Sequence, residues 1–174
     1  NGRDTLHARA EIVLTAKLPA HEGNIRELTG PAYRLRKAEI YSELLFHGPE
    51  LQGIEQIATC TTDGIAATVA SAPLPSEWIA QPMRSAWLAD PLVLDCAFQL
   101  MIVWSQTTHA AGSLPTSIGK YRQYQRAFPI DGIRVLARVT KQSEHRALAD
   151  IDFVDRAGKL IGTLEYMSPE QVRG

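Results

Sequence analysis

The sequence predicts an α+β fold in which an antiparallel sheet wraps around one long helix. One segment, from Asp90 to about Gly112, is apolar on nearly every side, as expected for an enclosed helix of about twenty residues, roughly 30 Å long. Other short runs, separated by turn residues, indicate about seven strands joined largely as hairpins. A chain of 174 residues can bury one core, so we expect residues 1–174 to form a single domain.

The N-terminal part of the chain predicts one strand, a loop and a short helix. Residues 5 to 16, TLHARAEIVLTA, alternate between apolar and polar side chains, which is typical of a half-buried strand. Residues 17 to 33 contain several Pro and Gly residues and predict a loop. A short helix is expected over residues 37 to 45, ending before Gly48 and Pro49.

The remaining strands are predicted from apolar runs and turn signals. Residues 54 to 61 and 65 to 71 flank the sequence TDG and predict a β-hairpin. The segments APLPSEW and QPMRSAW, which follow this hairpin, are expected to be irregular connections. Further strands are expected at residues 117 to 125, 131 to 142, 147 to 154 and 159 to 167, with DRAG as the turn between the last two.

The long helix has clear start and stop signals. Asp90 is a good N-cap residue, Pro91 suits the first helical position, and Gly112 is expected to end the helix. One enclosed helix and hairpin-ordered strands are the components of the hotdog fold. The pattern by itself selects only an antiparallel α+β protein.

Composition and charge exclude several classes of protein. The residues are 45% hydrophobic and the formal net charge is −1, which indicates a globular protein without a basic surface for nucleic acid or anionic membranes. No apolar run is long enough to span a bilayer, and no signal peptide is evident.

Two cysteines, Cys60 and Cys96, are too few for a disulfide framework or a zinc site. We therefore expect a reduced, cytoplasmic protein without a bound metal. Because the chain begins at Asn1, we also expect it to be part of a longer polypeptide.

The long helix carries two polar residues that stand out among apolar neighbours. Asp95 and Gln99 are four residues apart and therefore lie on one helix face, where the amide can donate a hydrogen bond to the carboxyl group. Desolvation disfavours the charged form of a carboxyl group, so an acid beside an apolar pocket can stay protonated and act as a general acid. The alternative is that Asp95, near the helix start, only interacts with the helix N-terminus or caps a loop. Spacing alone leaves both interpretations open.

Two motifs resemble those of the dehydratase domains of polyketide synthases and polyunsaturated-fatty-acid synthases. DPLVLDCAFQ, residues 90 to 99, is similar to the family signature hPxxLDxxxQ. LLFHGPELQGI, residues 44 to 54, resembles LFHGPxFQGI, except that Leu51 replaces a phenylalanine. LHARAEIVL near the start also resembles the opening strand of the family's second half.

The resemblance implies that the chain is one half of a double hotdog. In this family, a histidine of the first half removes the α-proton of a β-hydroxyacyl thioester, and an aspartate of the second half protonates the departing hydroxyl group. By this resemblance Asp95 is the catalytic acid and Gln99 its orienting partner, while His47, Gly48 and Pro49 bind substrate. The family's HxxxGxxxxP motif is absent from the sequence, so the chain resembles the C-terminal half and lacks the base.

The resemblance also implies partners and leaves alternative functions open. The substrate would be carried on the phosphopantetheine arm of an acyl carrier protein, and no separate cofactor is implied. The expected partners are that carrier protein, an N-terminal hotdog half or a second copy, and other synthase domains. His47 is either a site residue near Asp95 or a loop residue that stabilises its turn. The alternative functions are a non-catalytic hotdog used for dimerisation or carrier-protein docking, a product-template-type cyclase half and, less favoured, a single-hotdog thioesterase.

Overall fold

A long helix enclosed by one sheet dominates the computed structural model, which describes residues 8–21, 23–143 and 146–167. The strands are β1 (Ile54–Thr61), β2 (Gly64–Val69), β3 (Ser117–Gln123), β4 (Ile133–Gln142), β5 (Ala147–Val154) and β6 (Leu160–Met167). The helices are α1 (Lys37–Glu39), which continues as a π-helical turn (Ile40–Leu44), a 3-10 turn (Pro49–Leu51), α2 (Pro75–Trp78) and α3 (Pro91–His109).

The six strands form one sheet in the order β1-β2-β4-β5-β6-β3, and all neighbours are antiparallel. In the first hairpin Thr61 pairs with Gly64, so the predicted TDG turn is confirmed and Gly64 is already the first residue of β2. Gly64 has φ +149°, and a Cβ there would lie 2.1 Å from the Ala137 carbonyl oxygen on β4. Only glycine fits this close approach between neighbouring strands.

The alternation of side chains along the strands divides the sheet into two faces. Ile65 and Ala67 of β2 belong to the core around α3, whereas Ala66 packs on the opposite face with Leu136 of β4. Most of α3 is buried, as its apolar character predicted. Because a sheet places successive side chains on opposite faces, one face encloses the helix and the other needs separate cover.

The loop of residues 17–33 supplies part of that cover. Its side chains Ile25 and Leu28 pack against the second apolar cluster. Glu27 forms an ion pair with Arg134 of β4, and Arg138 donates to the Arg26 carbonyl oxygen at 3.0 Å. The sequence predicted this loop but not its position on the outer face.

Asp90 fixes the start of α3. Its side chain accepts a hydrogen bond from the backbone N–H of Val93 at 2.9 Å, which confirms the predicted N-cap. Both carboxylate oxygens also lie within hydrogen-bond distance of the Ala72 N–H, at 2.9 and 3.1 Å. A single buried carboxylate therefore joins the helix start to the segment that follows β2.

The end of α3 differs from the prediction. The helix ends at His109, and the left-handed residue that terminates it is Ala110, with φ 51°, rather than Gly112. The Ala110 N–H donates to the Gln106 carbonyl oxygen at 3.0 Å. Within the described ranges, none of the helices combines the length and the apolar character that crossing a bilayer requires.

The predicted first strand is wrong over the residues that the structure describes. Residues 8 to 16 have no strand structure, and Ile12, Val13 and Leu14 are 80%, 80% and 90% exposed. Residues 5 to 7 lie outside the described ranges. Alternation specifies which side chains a strand would bury, but the strand forms only beside a pairing edge, and none of the described strands pairs with this segment.

The other predicted elements are present with shifted ends. The short helix of residues 37 to 45 is found as α1 and its π-helical turn, and the DRAG turn joins β5 to β6. β1 and β5 have the predicted bounds, β3, β4 and β6 are shorter than predicted at one end, and β2 begins one residue earlier and ends two residues earlier. α2 forms within the segment expected to be irregular. Six strands are described, where seven were predicted.

We expect replacement of Asp90 by alanine to lower the free energy of unfolding by about 2 kcal/mol. The change removes the N-cap of α3 and leaves the buried Ala72 N–H without an acceptor. Chemical denaturation measures this loss. The matched control is Asp131→Ala, since Asp131 is exposed and lies 3.6 Å from Arg156. Equal stability of the two variants would show that the hydrogen bonds of Asp90 to Val93 and Ala72 do not stabilise the fold.

Asp90 should also produce a pH-dependent difference from an asparagine variant. Burial raises the pKa of the Asp90 carboxyl above its ordinary value of 3.8, and this outweighs the opposite effect of the backbone N–H donors. The folded state therefore binds the proton more tightly, and the carboxyl group contributes less stability as pH rises above 3.8. We expect the stability advantage of the wild type over Asp90→Asn to shrink as the pH rises above 3.8 in denaturant titrations. An advantage that grows with pH would disprove this.

Candidate active site

The second and third turns of α3 present the two polar residues that the sequence singled out. Gln99 Nε2 lies 2.7 Å from Asp95 Oδ2, so the hydrogen bond expected from their spacing is present. Gln99 is completely buried, whereas the Asp95 side chain is 32% exposed. The enclosure expected for the carboxyl group is therefore only partial in this chain.

The buried amide of Gln99 has three partners, and only Asp95 was predicted. Its Nε2 also donates to the Leu51 carbonyl oxygen at 2.7 Å, which ties α3 to the 3-10 turn. Its Oε1 accepts from the Tyr41 hydroxyl group at 2.7 Å. The Tyr41 oxygen in turn accepts from the Ile54 N–H at 2.8 Å.

Tyr41 is the site residue that sequence reasoning missed. It lies in the π-helical turn after α1, and burial raises the pKa of its phenol well above the ordinary value, so the hydroxyl group keeps its proton. Tyr41 and Gln99 are 58 positions apart, and no local pattern relates them. The available signal was a tyrosine next to Ile40 in the predicted short helix just before the FHGP motif, since buried tyrosines usually have a hydrogen-bond partner.

His47 lies beside the carboxyl group, as its site interpretation predicted. Its Nε2 is 3.7 Å from Asp95 Oδ2, and its side chain is only 10% exposed. The ring stacks on Phe46 with centroids 4.6 Å apart. Nδ1 is buried and has no hydrogen-bond partner among the described residues.

Gly48 and Pro49 shape the turn that carries His47. Pro49 begins the 3-10 turn, and the Leu51 N–H donates to the Gly48 carbonyl oxygen at 3.0 Å. Gln52 Nε2 donates to the His47 carbonyl oxygen at 3.1 Å, which fixes the same turn from its other end. The contacts of Gly48 and Pro49 with substrate stay predictions.

Gly53 brings this turn against the helix. A Cβ at Gly53 would lie 2.6 Å from Cys96 Sγ and 2.8 Å from the Leu92 side chain, both on α3. No side chain larger than hydrogen fits at this separation. The Gly53 carbonyl oxygen accepts from the Ala70 N–H at 2.8 Å, so the position is also fixed by the residue that follows β2. The FHGP motif and the aspartate motif are thus in direct contact.

The two cysteines lack the surroundings of reactive thiols. Cys96 is buried, and burial raises the pKa of its thiol well above the ordinary range. Burial also raises the pKa of the partly buried Cys60 to about 11. Thiolates are the nucleophilic form, so neither residue is suited to covalent catalysis. Among the described residues there is no group of three or more His, Cys, Asp and Glu side chains that could hold a metal ion.

A separate cleft of about 690 Å³ lies on the other face of the sheet, between the loop of residues 17–33 and Tyr124. Its lining residues include His21, Glu27 and Lys159 and none of the residues around Asp95. This cleft is therefore separate from the polar residues of α3. We assign the candidate site to Asp95, because that region holds a partly buried carboxyl group with oriented hydrogen-bond partners.

The arrangement around Asp95 suits proton transfer. Oδ2 accepts from Gln99 and faces His47 Nε2, whereas no hydrogen bond of the described residues occupies Oδ1. A carboxyl group with one fixed oxygen and one free oxygen can give a proton to a substrate or remove one. The geometry therefore provides one acid–base group with a set orientation.

Sequence comparison relates most of the chain to one family. The chain matches the family model described as polyketide synthase dehydratase N-terminal domain over residues 7–172. It is 29% identical over 119 residues to a component of the polyunsaturated fatty acid synthase of Thraustochytrium sp., a match that covers 67% of this chain and 4% of the relative. The family description names an N-terminal domain, whereas the aspartate motif predicted a C-terminal half, so the identity of the half stays a prediction.

Structural comparison confirms the hotdog fold. The GphF dehydratase 1 structure aligns with a TM-score of 0.66 at 16% identity and covers 87% of this chain and 54% of that one. The dehydratase domain from the CurF module of curacin polyketide synthase aligns with a TM-score of 0.60 at 22% identity, covering 80% and 48%. The chain thus spans about half the length of these dehydratase chains.

We expect Gly53→Ala to lower the free energy of unfolding by about 1–3 kcal/mol, since the added methyl group clashes with Cys96 and Leu92. Gly48→Ala is the matched control, because a Cβ there meets nothing within 4 Å. Thermal or chemical denaturation of both variants measures the effect. Equal losses at the two positions would show that the helix and the turn are not in close contact.

Proposed function

The chain belongs to the polyketide synthase dehydratase family, and on that basis we propose that it is the acid-bearing half of a dehydratase. The reaction is removal of water from a β-hydroxyacyl thioester on an acyl carrier protein, which gives an α,β-enoyl thioester in polyketide or fatty-acid biosynthesis. The observation that carries the proposal is the Asp95 carboxyl group, held by Gln99 and placed next to the FHGP turn.

In the proposed reaction Asp95 is the general acid. The base removes the α-proton, the electron pair of that C–H bond forms the double bond, and the β-carbon–oxygen bond breaks. Asp95 gives its proton to the departing hydroxyl group, which leaves as water. The carboxylate that remains is stabilised by the hydrogen bond from Gln99.

The base is proposed to come from a second hotdog half. His47 lies 3.7 Å from the acid, whereas the α-proton and the leaving hydroxyl group are on different carbons and need groups on opposite sides of the substrate. The family's HxxxGxxxxP motif is absent from this sequence, and the chain spans about half of the matched dehydratases. The proposed partner is therefore an N-terminal hotdog half or a second copy of this chain.

The surface beside the site supports such a partner. Phe46 is 75% exposed and Leu51 is 38% exposed, and both belong to the turn that faces Asp95. Apolar side chains grouped beside a polar site often mark an interface. The same cover would exclude water from the Asp95 carboxyl group. The carrier protein and the other synthase domains are proposed as the remaining partners.

The partial exposure of Asp95 favours one alternative, a non-catalytic hotdog that mediates dimerisation or docks a carrier protein. This alternative and the dehydratase differ in product. A complete domain that binds a carrier protein and makes no enoyl thioester supports the scaffold. Formation of a cyclised poly-β-keto product supports the product-template type instead.

We expect Asp95→Asn to reduce dehydration by roughly 10²–10⁴-fold in the complete domain, since the amide has no acidic proton to donate. Conversion of a β-hydroxyacyl carrier-protein thioester to its enoyl product, followed by mass spectrometry, measures the loss of water. Asp131→Asn is the control for replacing an aspartate, as Asp131 is exposed and belongs to a turn before β4. Undiminished dehydration by Asp95→Asn would end the assignment of the acid.

A further inference from the structure

The hydrogen bonds around Gln99 point to a role for Tyr41 beyond packing. We propose that Tyr41 is a positioning residue that fixes the end of the Gln99 amide facing Asp95, and so leaves Oδ1 as the oxygen that carries the transferred proton. The inference rests on the proposed function, because it states which oxygen of the proposed acid, Asp95, carries the proton. It adds a residue, and a specific oxygen atom, to the Asp95–Gln99 pair.

The Tyr41 hydroxyl group accepts one hydrogen bond and donates another. The Ile54 N–H can only donate, so the Tyr41 oxygen accepts from it at 2.8 Å. The one hydroxyl hydrogen is then available for donation, and among the described residues its acceptor is the Gln99 amide, 2.7 Å away. Of the two ends of an amide only the oxygen accepts. Tyr41 therefore selects Oε1 for its own side of the amide.

The nitrogen end of the same Gln99 amide is fixed by a different residue, Leu51. The Leu51 carbonyl oxygen can only accept, and Gln99 Nε2 donates to it at 2.7 Å. A reversed amide would place Oε1 against the Leu51 oxygen and the NH₂ group against the donated hydrogen of Tyr41. Both contacts would be repulsive in a completely buried position. The orientation of Gln99 is thus set jointly by Tyr41 at one end and Leu51 at the other.

The orientation of the Gln99 amide determines which oxygen of Asp95 accepts its hydrogen bond. With the amide fixed, Asp95 Oδ2 always meets a donor, Gln99 Nε2 at 2.7 Å, and it also faces His47 Nε2 at 3.7 Å. An oxygen that already accepts a hydrogen bond from Gln99 is a poor place for a proton, so the acidic proton resides on Oδ1. When the Oδ1–H bond breaks and the proton passes to the substrate hydroxyl group, the new carboxylate already has its stabilising donor.

A simpler role for Tyr41 is to fill the core, since it is only 9% exposed and belongs to the cluster around α3. The variant Tyr41→Phe separates the two roles, because it keeps the ring and removes only the hydroxyl group. Tyr33→Phe is the matched control. The Tyr33 hydroxyl group is 3.0 Å from Thr107 Oγ1 near the other end of α3, away from Asp95.

The first measurement does not depend on activity. In the complete dehydratase, labelled with ¹⁵N in its glutamine side chains, the Gln99 amide signal is identified by its loss in Gln99→Leu. We expect its protons to exchange with solvent on the order of tenfold faster in Tyr41→Phe, since the amide loses one of its fixed ends. Tyr33→Phe should leave that exchange unchanged. Unaltered exchange in Tyr41→Phe would overturn the positioning role.

The second measurement uses the reaction. We expect Tyr41→Phe to lower kcat by roughly tenfold to a hundredfold with little change in KM, because the acid is misdirected while substrate binding is retained. An equal fall in Tyr33→Phe, or a change in KM alone, would show that the effect is structural. Faster amide exchange in a complete domain that performs no dehydration would retain the positioning of Gln99 and refute the proposed function.

Discussion

The contact between α3 and the turn of residues 46–53 depends on one buried amide. Gln99 is completely buried, and each polar atom of its side chain requires a partner within the protein. The partners come from three separate parts of the chain: Asp95 on α3, Leu51 in the 3-10 turn and Tyr41 after α1. Satisfying this amide brings the FHGP turn and the aspartate motif together. Close packing at Gly53 completes the contact.

The sheet provides the rigid background for that contact. Its inner face encloses α3, and its outer face is covered in part by the loop of residues 17–33. Asp90 anchors the start of the helix to the segment that follows β2, so α3 cannot rotate without breaking buried hydrogen bonds. Asp95 lies just over one turn after Asp90 on the same helix, so the fixed rotation of α3 also fixes the direction in which the Asp95 side chain leaves the helix. The position of the acid is therefore set by the helix start as well as by Gln99.

The Asp95 side chain is partly exposed to solvent. Most of the helix is buried, yet this carboxyl group keeps a third of its side chain exposed, and apolar side chains of the adjacent turn are exposed as well. The chain spans about half of the dehydratase chains it aligns with, and exposed apolar side chains of this kind often mark an interface. Under the proposed function, the same surface would form one wall of the substrate tunnel.

The sequence alone determined the α+β class, the hairpins, the start of α3 and the pairing of Asp95 with Gln99. All of these follow from local periodicity, capping residues and spacing within one helix. The motifs, read as a resemblance, also indicated the family. The tertiary structure decided the rest: the absence of the first strand over residues 8–16, the end of α3 at Ala110 and the role of Tyr41. A strand requires a pairing edge and a buried amide requires partners, and residues 58 positions apart meet only when the chain has folded.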